Sequence, residues 1–253
     1  MIRLDRTGAR GARIPLKSGK ALVDYDMDRG SVIVGHGEPE IEAARAGRGR
    51  GGGEPFEHDV RLLASSLEDA AAIVDAVRRE KGAQIVVSDE SVLFGRVDPA
   101  PGWDLRLVGP AAAAGMDFAA VIARDGVLLE GIHGPRPPAP AAVAVAEVVV
   151  RLCGPLVVHQ LSGRAGRLAR GIAEVAAGVG LDVEADQPGG WFELRFTAAA
   201  AEAGVPVRFR DEMLARGYLV PAAGPWWPCL AHDYYTIEQT VDCAAAAMAA
   251  AAR

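Results

Sequence analysis

The sequence predicts an α/β protein that carries a second, smaller α+β part. Three features point to it. Strand-like and helix-like segments alternate through the first half of the chain, the pattern of a sheet covered by helices. A continuous apolar run, AQIVVSDE, ends in acids, as a buried parallel strand does where its carboxyl end opens into a site. The last third mixes short strands with helices in one stretch, which suits a small α+β unit.

Taken in order, IPLKS and KALVDYD flank Ser18-Gly19 and read as two short strands about a turn. The apolar run SVIVGH follows and ends in Gly-His-Gly-Glu-Pro, after which EPEIEAARAG reads as a short helix. The glycine cluster GRGRGGG, residues 47–53, follows a helix and opens none with a lysine and a hydroxyl, so it is a flexible joint and not a phosphate cradle. SLEDAAAIVDAVRREKG is a stronger helix. Asp69 stands three residues after Ser66 as in a capping box, Leu67, Ala70, Ala71, Val74 and Val77 share a face, and Gly82 ends it. LRLVG and FAAVIARDG are further short strands, and the turn GPRPPAP leads into a helical region over 139–180, broken near Cys153-Gly154-Pro155. LDVEAD and WFELRFT read as strands and VRFRDEMLARG as a helix; YLVP, the aromatic turn GPWWPCLAH and a helix over 234–253 close the chain. No fixed-period repeat is present.

Half of the 253 residues are hydrophobic, enough for a sizeable core, and the net charge of −6 makes nucleic acid and acidic membrane poor partners. A small-molecule or protein partner fits better. Lys17, Lys20 and Lys81 are the only lysines, so lysine-dependent chemistry has three candidates. Cys153, Cys229 and Cys243 are widely spaced, which suggests neither a disulfide framework nor a zinc site; no metal is expected. The N-terminal stretch MIRLDRTGARGARIPLKSGK has no apolar core of signal-peptide length, and no run reaches the roughly 18 apolar residues of a membrane span; a cytoplasmic, soluble protein is expected.

The run SGKALVDYDMDRGSVIVGHGEPEI resembles the N-terminal segment of class III aminotransferases, particularly glutamate-1-semialdehyde aminomutases. IVVSDESVLFGR is similar to the family strand ending in Asp-Glu-Val and continuing to an Arg, giving Asp89, Glu90 and Arg96. LVGPAAAAGMDFAAVIARDG resembles the segment bearing the Schiff-base lysine, GIHGPRPPAPAAVAVAEVVVRL the Gly-Thr-aromatic turn and its helix, and CLAHDYYTIEQTVDCAAAAM the family's tail. The resemblance implies a shrunken fold type I large domain plus an α+β small domain, and a homodimer. Residues 1–50 would form part of the small domain and a dimer arm, 51–138 a reduced large domain, and 139–253 the linking helix and the rest of the small domain. The family's glycine-rich phosphate loop and stacking aromatic have no counterpart. The lysine position falls on Pro110, which has no amine, the ring-packing valine becomes Ser91, and the phosphate-reaching threonine becomes Ile132. Only Asp89, which would hold the pyridine nitrogen, is retained. The expected cofactor complement is therefore none.

The candidate catalytic residues are Asp89, His133, Glu90 and Asp28. Asp89 and Glu90 end a buried strand, where a carboxylate is either functional or neutralised, here by Arg96 or Arg106. His133 replaces an aromatic beside the former phosphate site, where a dimer mate would contribute, whereas His36 and His232 match landmark positions and hold loops. Asp28 and Arg29 precede a glycine where the resembled family approaches its substrate, so Arg29 is placed to grip a carboxylate; an exposed loop with a solvated ion pair is the alternative. Trp226 and Trp227 form an aromatic patch that either caps an apolar ligand or packs between domains. The expected activity is a cofactor-independent isomerase, lyase or cyclase reaction on a small molecule in specialised biosynthesis. A non-catalytic partner of a full-length aminotransferase is the second reading; a residual pyridoxal-phosphate enzyme is a third, which the missing lysine disfavours.

Overall fold

The computed structural model describes residues 6–30, 32–48, 60–81, 87–90, 104–108, 114, 116–134, 136–153, 155–187 and 189–253. The chain divides into two units: Met1–Gly37 with Leu156–Arg253, and Glu38–Pro155. Residues 38–50 and 139–155 thus fall with the central unit, whereas the sequence places its boundaries near 50 and 138.

The central unit is built on a sheet in the order β3-β6-β5-β4, formed by β3 (Val60–Ala64), β6 (Ala119–Ala123), β5 (Leu105–Val108) and β4 (Val87–Glu90). β6 runs antiparallel to both of its neighbours, and β4 is parallel to β5, as its acid-ended apolar run suggests. All of β6, AAVIA, is buried, and its small and branched side chains let helix α3 (Leu67–Lys81) lay Ile73, Val74 and Val77 against Ala119, Val121 and Leu105. The start of α3 follows its capping signature: the Asp69 amide donates to Ser66 Oγ at 3.0 Å, and the Ser65 hydroxyl donates to the Asp69 carboxylate at 2.7 Å. Gly82, the expected stop, lies outside the described residues. The short helix α2 (Pro39–Arg45) packs on α4 (Pro140–Leu152) in the same unit.

In the unit made from both chain ends, β1 (Arg13–Pro15) and β2 (Ala21–Asp24) form the expected hairpin about Gly19, whose φ of 82° places it in the left-handed region that glycine tolerates. β2 continues in parallel to β9 (Tyr218–Leu219). A second, antiparallel sheet runs β10 (Pro225–Trp226), β8 (Phe192–Phe196), β7 (Val183–Asp186). Helices α5 (Pro155–Gly178), α6 (Ala198–Glu202), α7 (Val205–Ala215) and α8 (Tyr234–Ala251) pack about a core that includes Tyr25, Leu168, Ile172, Phe192, Phe209, Met213, Trp226 and Met248. α4 ends at Leu152 and α5 begins at Pro155, because proline lacks the amide that would continue the first helix. Gly171 of α5 sits against Val241 of α8, where an added Cβ would come within 2.8 Å of a valine methyl. The far end of α8 is tied down by Arg208, which donates to the Ala251 carbonyl from Nε at 3.0 Å and Nη2 at 2.7 Å. Among the described residues no helix is long and apolar enough to cross a membrane.

Candidate functional site

A buried cluster of titratable side chains lies at the carboxyl end of β2. Asp24 is 0 % exposed. A buried carboxylate is tolerated only when its lone pairs are occupied. Oδ1 accepts from the amides of Asp26 at 2.9 Å and Met27 at 3.1 Å, and Oδ2 pairs with His36 Nε2 at 2.8 Å. Burial alone would raise the Asp24 pKa, but the hydrogen bonds from His36, Met27 and Asp26 outweigh it and hold the carboxyl below its ordinary range. His36 is itself held by its backbone, which exchanges hydrogen bonds with Gly11 at 2.7 and 2.8 Å. On either side of it, Gly35 (φ 109°) and Gly37 (φ 63°) take conformations that side chains resist.

Beside Asp24 stands a second histidine. His232 is fully buried, stacks on the Tyr25 ring with centroids 4.2 Å apart, and accepts the Cys229 amide at Nδ1 over 2.9 Å. That bond puts the proton of neutral His232 on Nε2, which is buried without a well-formed hydrogen bond. Burial pushes the His232 pKa down to about 4, against the opposing pull of Asp24. The Thr240 hydroxyl donates to the Thr236 carbonyl, so in the 2.7 Å contact with Thr240 Oγ1 the Tyr25 hydroxyl is the donor. Burial also pushes the Cys229 and Cys153 thiols up to about 12, which removes both as nucleophiles at neutral pH.

The residues singled out from sequence are distributed between the two units. Asp28 and Arg29 lie in the four-residue helix α1 (Met27–Gly30), and Asp89 and Glu90 end β4, where the register pairs them with Leu107 and Val108; these four are placed by backbone. His133 is exposed on the loop after the 3₁₀ turn Gly126–Leu128, and the neighbouring Gly134 abuts the Leu63 carbonyl of β3. Since β3 and β4 stand at the two ends of the described strand order β3-β6-β5-β4, three strand spacings or roughly 14 Å separate the strands that carry or adjoin these two residues, too far for a direct hydrogen bond between backbone-adjacent groups. Ile132 is buried in the core of that unit. Trp226 is 1 % exposed and its ring meets Tyr25, Phe192 and Phe209, so packing is its observed role. Trp227, also buried, covers Gly30, where an added Cβ would come within 2.6 Å of the indole. Arg96, Ser91 and Pro110 lie outside the described residues. Among the described residues no three or more His, Cys, Asp or Glu side chains gather as a metal site would require. The sequence marks His36 only as a landmark and shows Asp24 only within the run KALVDYD; their contact, twelve residues apart, has no periodic signal that announces it.

No family model matches the sequence, and no curated protein matches it. Solved structures do. An N-acetylornithine aminotransferase from Stenotrophomonas maltophilia K279a superposes with a TM-score of 0.75 at 17 % identity, covering 100 % of this chain and 97 % of that one. The PLP internal aldimine form of FumI from Sphingopyxis sp. MTA144 gives 0.76 at 14 % identity, with 96 % and 87 % covered. A glutamate-1-semialdehyde-aminomutase from Pseudomonas aeruginosa PAO1 gives 0.71 at 12 % identity, with 95 % and 86 % covered. The fold is that of the fold type I aminotransferases. Enzymes that join pyridoxal phosphate to the protein need a lysine whose amine is desolvated or otherwise activated at the cofactor. In this aminotransferase fold Lys17 and Lys20 flank the exposed tip of the β1–β2 hairpin and Lys81 is exposed at the end of α3. All three lysines are solvent-exposed.

Proposed function

We propose that the chain is an enzyme that uses the aminotransferase fold without pyridoxal phosphate, catalysing an isomerase, lyase or cyclase reaction on a small anionic molecule of specialised biosynthesis. The observation that carries this is the placement of all three lysines at exposed turns and helix ends, with Pro110 at the position matched to the Schiff-base lysine. The glycine-rich phosphate loop is likewise without a counterpart in the sequence, as in a reduced form of the fold.

In this proposal Asp89 and His133 are the acid and base, Glu90 beside Asp89 and Asp28 beside Arg29 are further candidate carboxylates, and Arg29 grips the substrate carboxylate. Because β4 and β3 lie at opposite ends of the described strand order, the proton passes by way of the substrate, or the imidazole comes from a second copy of the chain. A homodimer belongs to the proposal; a strictly monomeric mass in light scattering removes it.

The test is deuterium incorporation from D2O into a panel of small carboxylates that bear an acidic C–H bond, read by mass. Asp89→Asn and His133→Ala are each expected to slow exchange by roughly 100- to 10,000-fold, while Arg29→Ala mainly raises KM. Near-normal exchange in both of the first two variants, with the fold intact, removes the assignment. Absence of exchange by the unaltered protein across the panel counts against catalysis of this kind.

A further inference from the structure

The turn that follows β2 is strained, and the strain has an identifiable holder. Met27 has φ 43°, a left-handed conformation that a bulky residue other than glycine rarely takes. Such conformations persist only where the surroundings over-determine them, and they cluster where a chain must present particular residues. Here the surroundings are explicit. The Asp24 carboxylate accepts the Met27 and Asp26 amides on one oxygen and His36 on the other. The Met27 side chain is buried, and its carbonyl accepts the Val32 amide at 3.2 Å. The far end of the turn, Gly30 (φ 83°), lies under the Trp227 ring, and the Trp227 amide donates to the Tyr25 carbonyl at 2.8 Å. Asp28 and Arg29 are the residues between Met27 and Gly30.

We infer that the Asp24 carboxylate, supported laterally by His36, is the positioning group of this turn: it holds Met27 left-handed so that Arg29 meets a carboxylate-bearing substrate. This rests on the role proposed above for Arg29. Asp24 touches no substrate; it acts through the backbone amides it accepts. A carboxylate serves here because one charged oxygen accepts two amides while the other accepts from the imidazole; asparagine keeps an oxygen for the amides but loses the charge that strengthens these bonds and turns an NH2 toward His36 Nε2, so the imidazole must give up its Nε2 proton or the contact.

The experiment uses the full chain with two readouts: hydrogen exchange of the Asp26 and Met27 amides, and the affinity for succinate by calorimetry. Asp24→Asn is expected to speed exchange at both amides by roughly tenfold or more and to weaken succinate binding by a similar factor. Adding Met27→Gly, which removes the left-handed penalty, is expected to restore binding in the Asp24→Asn background. If Asp24→Asn does not fold, His36→Ala removes the lateral support at a side chain that is 9 % exposed and is expected to move both readouts in the same direction. Unchanged exchange in these variants overturns the inference. So does faster exchange with unchanged affinity, since the turn would then be held without positioning Arg29. Equal succinate affinity in Arg29→Ala and the unaltered protein, or none in either, overturns the anion-binding role of Arg29 and with it this inference, and amide exchange then shows separately whether Asp24 holds the turn.

Discussion

Trp226→Ala is expected to remove about 3–5 kcal/mol of stability, a large part of the roughly 5–15 kcal/mol of a typical domain. The indole is 1 % exposed and is wedged among Tyr25, Phe192 and Phe209, with ring centroids 5.6, 5.3 and 6.2 Å away. Its backbone pairs with β8, so the cavity left by truncation lies between that sheet and α7 and cannot close by a loop shift. Denaturant unfolding of the variant measures the loss. A change below about 1 kcal/mol would show that the ring is not part of the core and would return it to the role of a ligand cap.

The second large effect is an acid-side loss of stability set by His232. Its folded-state pKa of about 4 lies below the ordinary value of 6.5, so the unfolded chain takes up a proton that the folded chain refuses. Stability contributed by the neutral imidazole is whole above pH 6.5 and falls as the pH drops to about 4, by on the order of 3 kcal/mol. Asp24 acts in a different window. Its carboxyl is held below the ordinary range, so its contribution is present above the ordinary carboxylate pKa and is lost only as the pH falls through its lowered folded value. Denaturant midpoints measured from pH 7.5 to pH 3 separate the two. An imidazole of His232 that titrates near 6.5 by NMR, with flat stability between 6.5 and 4, contradicts the buried neutral assignment.

Local chemistry made much of the fold legible in the sequence. The α3 start at Ser66 is announced by a hydroxyl that can cap and an apolar face that needs covering, and the break between α4 and α5 by a proline that cannot donate. β3 was not legible, because VRLLA is short, follows the glycine joint and gains its partner only when β6 arrives about sixty residues later. The apolar run SVIVGH forms turns over its described residues, since Gly35 is left-handed there and its amide closes a turn onto Val32. The Asp24–His36 pair shows the same limit at the site. Each residue is unremarkable in its own segment, and they meet because the chain returns to pair His36 with Gly11 beside β1. Tertiary return of this kind carries no period.

In the function proposed above, this aminotransferase fold works without a lysine-bound pyridoxal phosphate. The most direct measurement is to incubate the purified protein with pyridoxal phosphate, record its absorbance, reduce with borohydride and locate any adduct by mass. The expected result is no internal aldimine band and no reduced pyridoxyl adduct at stoichiometric level. A stoichiometric adduct on Lys17, Lys20 or Lys81 would contradict the account.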